Sequence, residues 1–193
     1  MPLNDARERL IKAAIDLFFK KGYPTTTIRD IGVKANISTS VIYHYFKNKE
    51  EMLYEIIQRT NRDLLNVLNE INENEKDPVV CLEKLIWAHM VDWCLKHRKE
   101  SKIIVMDDAW LTGKRKEANV ICQRKVYALY KQKLNELKES GLLIETDLTV
   151  LCFSIFGVIN QTFRWFHERG ALNKEDVAQN VINFLFNGII KKK

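Results

Sequence analysis

Between Ser38 and Tyr45 the chain reads S-T-S-V-I-Y-H-Y. With a helical period of about 3.6 residues, Thr39, Ser40, Tyr43 and His44 fall on one side of a short helix and Ile42 on the other. A stripe of hydroxyls, an aromatic ring and an imidazole carries donors and acceptors that suit phosphate oxygens and base edges in a DNA major groove. A second helix must hold that stripe in place. Thr27 followed by Asp30 is a capping-box start, with Ile28, Ile31 and Ala35 on one face of the helix that follows. Asn36 tolerates the left-handed conformation that a tight turn needs, Ile37 fits the angle between two helices, and Ser38 is expected to cap the next. The candidate DNA contacts are Thr27, Arg29, Ser38, Thr39, Ser40, Tyr43, His44, Tyr45 and Lys49. Lys49 is placed in the first turn of a further helix, where its ammonium and the free amides of that turn would anchor a phosphate.

The order running from Thr27 through Ile31, Ala35, Ile37, Ser38, Ser40, Ile42, Tyr43, Tyr45, Phe46, Lys49 and Glu50 to Leu53 resembles the TetR family of bacterial transcriptional regulators. Gly32 stands where that family usually has Ala, and Asn36 where Gly is usual; neither breaks the turn. The resemblance implies a homodimeric regulator that binds a palindromic double-stranded operator. It also implies a divergent helical effector domain after the DNA-binding head.

Composition agrees with that outline. The chain has 193 residues, 46% hydrophobic and 29% charged, with only seven Gly and three Pro, which favours long helices. Residues 1–50 hold nine Lys or Arg against five Asp or Glu, so +4 of the formal +6 lies in the head. The expected class is all-α: a three-helix head over residues 1–50, then a ligand-binding and dimerisation bundle over residues 51–193. Its helices are expected near Asp5 to Lys21, from Asn48 to beyond Ile71, from Val79 to His97, from Lys114 to Glu139, from Asp147 to Glu168 and from Lys174 to Ile190, with a solvated tail at Lys191 to Lys193. Leu151, Ile155, Val181, Phe184 and Leu185 give the last two helices an apolar surplus expected to form the dimer contact. Cys81, Cys94, Cys122 and Cys152 lie far apart among apolar residues and read as buried thiols of a reducing cytosol. No apolar run approaches a membrane span, so a cytoplasmic protein is expected.

Catalytic and metal chemistry find no constellation. His89 and Cys94 are five residues apart and so about 140° round a helix, and with His97 they match no ligand spacing. Asp107 and Asp108 point about 100° apart, with no nucleophile or phosphate loop beside them. No enzyme, metal or cofactor is expected. In the helix expected over Asp147 to Glu168, Ile155, Ile159 and Phe163 form an apolar stripe, and Gly157, Asn160, Gln161, Arg164 and Glu168 a polar one. That polar stripe reads either as a wet face or as the border of a ligand channel or dimer contact. The stretch Gly157 to Asn160, then Arg164, Trp165, Phe166 and Gly170, resembles the effector domains of a TetR branch that responds to acyl-CoA thioesters. On that reading the lining candidates are Trp87, Met90, Cys94, Met106, Trp110, Phe153 and Phe156, with Asn160, Arg164 and Trp165 near the mouth. An aromatic or drug-like effector is the alternative, and so is an architectural DNA-binding protein with no effector.

Overall fold

Gly22, at φ +83, takes the left-handed conformation that ends α1 (Leu3–Lys21), and its N–H closes on the Phe18 carbonyl at 2.8 Å. The structure is a computed structural model that describes residues 3–190, with side chains from Asp5 onward. The expected tail at Lys191 to Lys193 lies outside the described residues. After α1 come α2 (Ile28–Ala35), α3 (Thr39–Tyr45) and α4 (Lys49–Asn74). Asp77 accepts from the N–H groups of Val79 and Val80 and starts α5 (Pro78–Trp87), with Pro78 at its first position. The remaining helices are α6 (Arg98–Asp107), α7 (Gly113–Glu139), α8 (Leu148–Trp165) and α9 (Lys174–Ile189). Asp147 and Asn173 cap the last two through their side chains. The all-helical class read from the sequence is the one that forms.

Two stretches depart from the sequence reading, and a third takes elements that reading does not assign. The helix expected to run unbroken to His97 changes at Ala88 into a π-helix, Ala88–Leu95. The stretch after Ser101 is helical to Asp107 and then tightens into a 3-10 turn, Asp108–Trp110. The eighth helix ends at Trp165 rather than Glu168, because Phe166 goes extended to bury its ring.

The chain divides into two compact units, Met1–Asn61 with Lys99–Val120, and Arg62–Arg98 with Ile121–Lys193. In the first, Leu10, Ala14 and Phe18 of α1, Ile31 of α2, Ile42 of α3, and Leu53 and Ile57 of α4 close one core that also takes in Ile103 and Leu111. Polar ties fasten the 99–120 segment into this unit. Lys99 pairs with Asp16 at 2.5 Å, and Lys102 donates to the Phe19 carbonyl at 2.8 Å. Glu50 accepts from the N–H and hydroxyl of Thr112 and from Arg115, and Asn61 donates to Asn119 at 3.0 Å. Burial opposes the charge of Glu50, but these donors outweigh it and hold its carboxyl below the usual range.

The second unit is a bundle around Leu82, Leu85, Met90, Tyr130, Leu134, Cys152, Ile155 and Ile182. The isolated antiparallel bridge Leu143 to Ile190 ties the end of α9 to the loop before α8. Leu151, Ile155 and Leu185, expected to face a second copy, are instead spent on this core. The apolar side chains left outward on α8 and α9 are Val150, Phe153, Trp165 and Phe184, the last 74% exposed. Cys81, Cys94 and Cys152 are buried free thiols, whereas Cys122 is only half-buried. Among the described residues, no helix is long and apolar enough to cross a membrane.

Candidate nucleic-acid interface

The start of α2 is fixed by a complete capping box. Thr27 Oγ1 accepts from the Asp30 N–H at 3.1 Å, and Asp30 Oδ2 accepts from the Thr27 N–H at 3.1 Å. Those bonds from Thr27 hold the Asp30 carboxyl below its ordinary pKa. At the other end Asn36 sits at φ 54, ψ 50, and the Ile37 N–H reaches back to the Gly32 carbonyl at 2.9 Å. Gly32 is required by this turn: a Cβ there would stand 2.8 Å from the Ile37 carbonyl oxygen and 3.0 Å from Ile42 Cδ1. Gly32, one of the two departures from the usual family pattern, is thus the residue that lets α2 and α3 approach. Arg9 of α1 donates to the Ala35 carbonyl and braces the pair from behind.

With Ile42 wholly buried, the opposite side of α3 faces outward: Thr39, Ser40, Tyr43 and His44 are exposed, Tyr43 by 56%. Tyr45 is half-buried with its ring edge-on to His44. Ser38 stands at the N-cap, yet its hydroxyl bonds to Ser40 Oγ at 3.0 Å rather than to a backbone N–H, so it does not cap α3 through its side chain. Thr27 and Arg29 are exposed at the start of α2. Arg29, Val33, Asn36, Ser38 and Thr39 line an open concavity of about 460 Å³ where α2 meets α3. Val33, which lines that concavity, is 77% exposed, and Val41 of α3 is 41% exposed. Neither carries a donor or acceptor, so neither belongs to a stripe defined by hydrogen bonding. The usable signal was a β-branched apolar residue placed off the buried face, suited to a thymine methyl.

Lys49 has a different role from the phosphate anchor expected of it. Its ammonium donates to the carbonyls of Tyr23 at 2.6 Å, Thr26 at 2.7 Å and Pro24 at 3.3 Å, and lies 4.2 Å from the centre of the Tyr23 ring. An ammonium has three protons, and all three are used to close the α1–α2 loop. Burial pushes its pKa down, with the charge of Asp107 pulling the other way.

The effector candidates fall in both units. Met106 and Trp110 are built into the head unit, where Trp110 lies against the Tyr23 ring. The other eight are in the bundle. There Met90 and Cys94 are buried, and Trp87 and Phe156 are half-buried against the same core. Phe153 stacks on Tyr127 at 5.6 Å but is 62% exposed. Asn160 is half-buried, and Arg164 and Trp165 are exposed.

A helix-turn-helix pair backed by α1 and α4, in a chain that goes on into an all-helical bundle, defines a two-part DNA-binding transcriptional regulator. The comparisons agree: residues 10–56 match the model of the bacterial regulatory proteins of the tetR family, and residues 75–189 match a tetracyclin repressor-like C-terminal domain. The chain belongs to the TetR family of bacterial transcriptional regulators, which are not enzymes. It is similar to the HTH-type transcriptional repressor KstR2 of Mycolicibacterium smegmatis, 25% identical over 97% of this chain and 92% of that one. Its fold matches the ketosteroid transcriptional regulator KstR2 of Mycobacterium tuberculosis with a TM-score of 0.90 at 24% identity, over 96% and 95% of the two chains. It also matches AibR in complex with isovaleryl coenzyme A and operator DNA with a TM-score of 0.87 at 23% identity, over 94% and 98%.

Proposed function

We propose that this chain is a homodimeric repressor that holds a palindromic operator through α3 and is released from it by a small hydrophobic effector of the acyl-CoA class. The observation that carries the DNA half is the outward stripe of Thr39, Ser40, Tyr43 and His44, set over a wholly buried Ile42 by a capped and glycine-tightened turn. The DNA-reading part is residues 1–50 and the effector part residues 51–193. A second copy docks on α8 and α9, where Val150, Phe153, Trp165 and Phe184 leave apolar surface outward. Two heads then read half-sites about 34–36 Å apart, or a multiple of that.

The effector half draws support from the apolar bundle interior, from Arg164 as a guanidinium able to meet a phosphate, and from AibR, whose structure holds a coenzyme A thioester together with operator DNA. Release requires the effector to favour the form that does not bind DNA, by roughly 1–3 kcal/mol for a typical coupling. The test is operator release, followed by fluorescence anisotropy, against acyl-CoAs of increasing chain length. Binding is expected to tighten with each added methylene until the site is full, with free CoA much weaker. Release by a cationic aromatic compound with no response to any acyl-CoA would turn the assignment toward a drug sensor.

A further inference from the structure

A π-helix appears mostly as a single-turn bulge and gathers at functional sites. Here it extends over eight residues, Ala88–Leu95, and carries two polar groups with unmet hydrogen-bonding capacity. The first is His89, buried with 7% of its surface still accessible, its ring 6.1 Å from Phe156 and 6.0 Å from Tyr130. The hydroxyl of the fully buried Tyr130 lies 2.9 Å from the Leu85 carbonyl oxygen and 3.3 Å from His89 Nδ1. A phenol has one proton, and the carbonyl, which can only accept, holds it at the shorter distance. Nδ1 therefore carries the imidazole proton and donates to the Tyr130 oxygen, which leaves Nε2 with a bare lone pair. Among the described residues nothing donates to that Nε2. Burial holds the ring neutral, with its pKa pushed down to about 4, so the lone pair persists at physiological pH. The second group is Trp93, about one turn further along, whose Nε1–H is buried with no acceptor. Buried polar atoms are satisfied in the great majority of cases, so an unmet pair about one turn apart on one helix calls for an explanation.

We propose that His89 Nε2 and Trp93 Nε1–H are the polar end of the effector site, and that together they take an alcohol hydroxyl carried on an otherwise apolar effector. The inference rests on the effector-release reading above. A hydroxyl donates to Nε2 and accepts from the indole N–H at once. A keto group satisfies only Trp93, an unsubstituted chain satisfies neither, and a carboxylate brings a charge that a neutral imidazole does not balance. Trp87, Met90 and Phe156 supply apolar wall for the rest of the molecule. Sites built to hydrogen-bond a hydroxyl discriminate well against analogues that lack it, because the partners are left unpaired.

The test uses the full chain and calorimetric titration with octanoyl-CoA, its hydroxy isomers and its keto isomers. At least one hydroxy isomer is expected to bind about tenfold tighter than the unsubstituted and keto forms. His89→Phe should erase that preference and Trp93→Phe reduce it, read in each protein as the ratio of hydroxy-isomer to octanoyl-CoA affinity. Binding without a hydroxyl preference, or a preference that survives both variants, overturns this inference alone. No binding by any member of the series overturns the effector-release reading and this one with it. Should His89→Phe fail to fold, nitrogen-15 spectra of the wild-type imidazole decide: the Nδ1–H tautomer with an Nε2 resonance that moves on adding the hydroxy probe supports the site, and an Nε2–H tautomer rules it out.

Discussion

In the head, polar side chains finish the backbone. Thr27 and Asp30 close one end of α2, Asn36 closes the other, and Lys49 gathers three carbonyls of the α1–α2 loop. In the bundle, the polar groups of the interior are few: His89 and Tyr130 form a chain to the Leu85 carbonyl, Thr162 donates to the Val158 carbonyl, and Trp93 Nε1 has no acceptor. The contrast follows from what each part must do. A reader of base edges needs a fixed surface, so both ends of α2 are satisfied locally and the α3 stripe is left for a partner. An effector site needs hydrogen-bonding capacity kept inside apolar surroundings, where an unmet group costs most and therefore selects hardest.

The largest expected effect lies in the bundle and comes from pH. His89 titrates at about 4 when folded, against 6.5 for an ordinary imidazole. Between those values the unfolded chain binds the proton and the folded one does not. Stability is therefore complete above about 6.5 and falls as pH drops toward 4, by on the order of 3 kcal/mol. Denaturant titrations through that window should show the loss, and His89→Phe should flatten it; an equal slope in both proteins would mean that His89 is not held neutral.

In the head, Gly32→Ala should cost about 1–3 kcal/mol, because its Cβ meets the Ile37 carbonyl and neither backbone segment can yield cheaply. Thermal melts of the two proteins measure it, and an unchanged midpoint would show that the turn is looser than described. A comparable or smaller loss, about 1–3 kcal/mol, is expected for Lys49→Met, which leaves loop carbonyls without their donor. The dependence of log affinity on log salt should stay as it was. A slope lowered by about one unit would instead return Lys49 to the phosphate-anchoring role.

These cases also show what a sequence can disclose. The capping box, the left-handed Asn36 and the buried Ile42 were legible because each depends on neighbours within a few residues. Lys49 was not, since its position in a first turn fits a phosphate and a loop carbonyl equally well; only the placement of Tyr23 and Thr26 decides. In the bundle, Leu151, Ile155 and Leu185 looked like surplus for a second copy because helical periodicity shows a face without saying what covers it. Met106 and Trp110 read as bundle residues for a similar reason, whereas the 99–120 segment returns to the head's core through contacts distant in sequence. The π-helix left no pattern in the sequence, where His89 offers only a metal-ligand spacing that fails and Trp93 is one more large residue on an apolar helix.

The central claim is that the outward stripe of α3 reads bases. Selection from a library of random duplexes, made with the full chain and with a Thr39→Ala, Ser40→Ala double variant, tests it most directly. The wild-type protein should enrich an inverted repeat, and the variant should change or relax the preferred half-site bases while binding unrelated duplex about as well as before, since backbone contacts carry most nonspecific affinity. Enrichment of the same sequence to the same degree by both proteins, or of none by the wild type, would contradict the account.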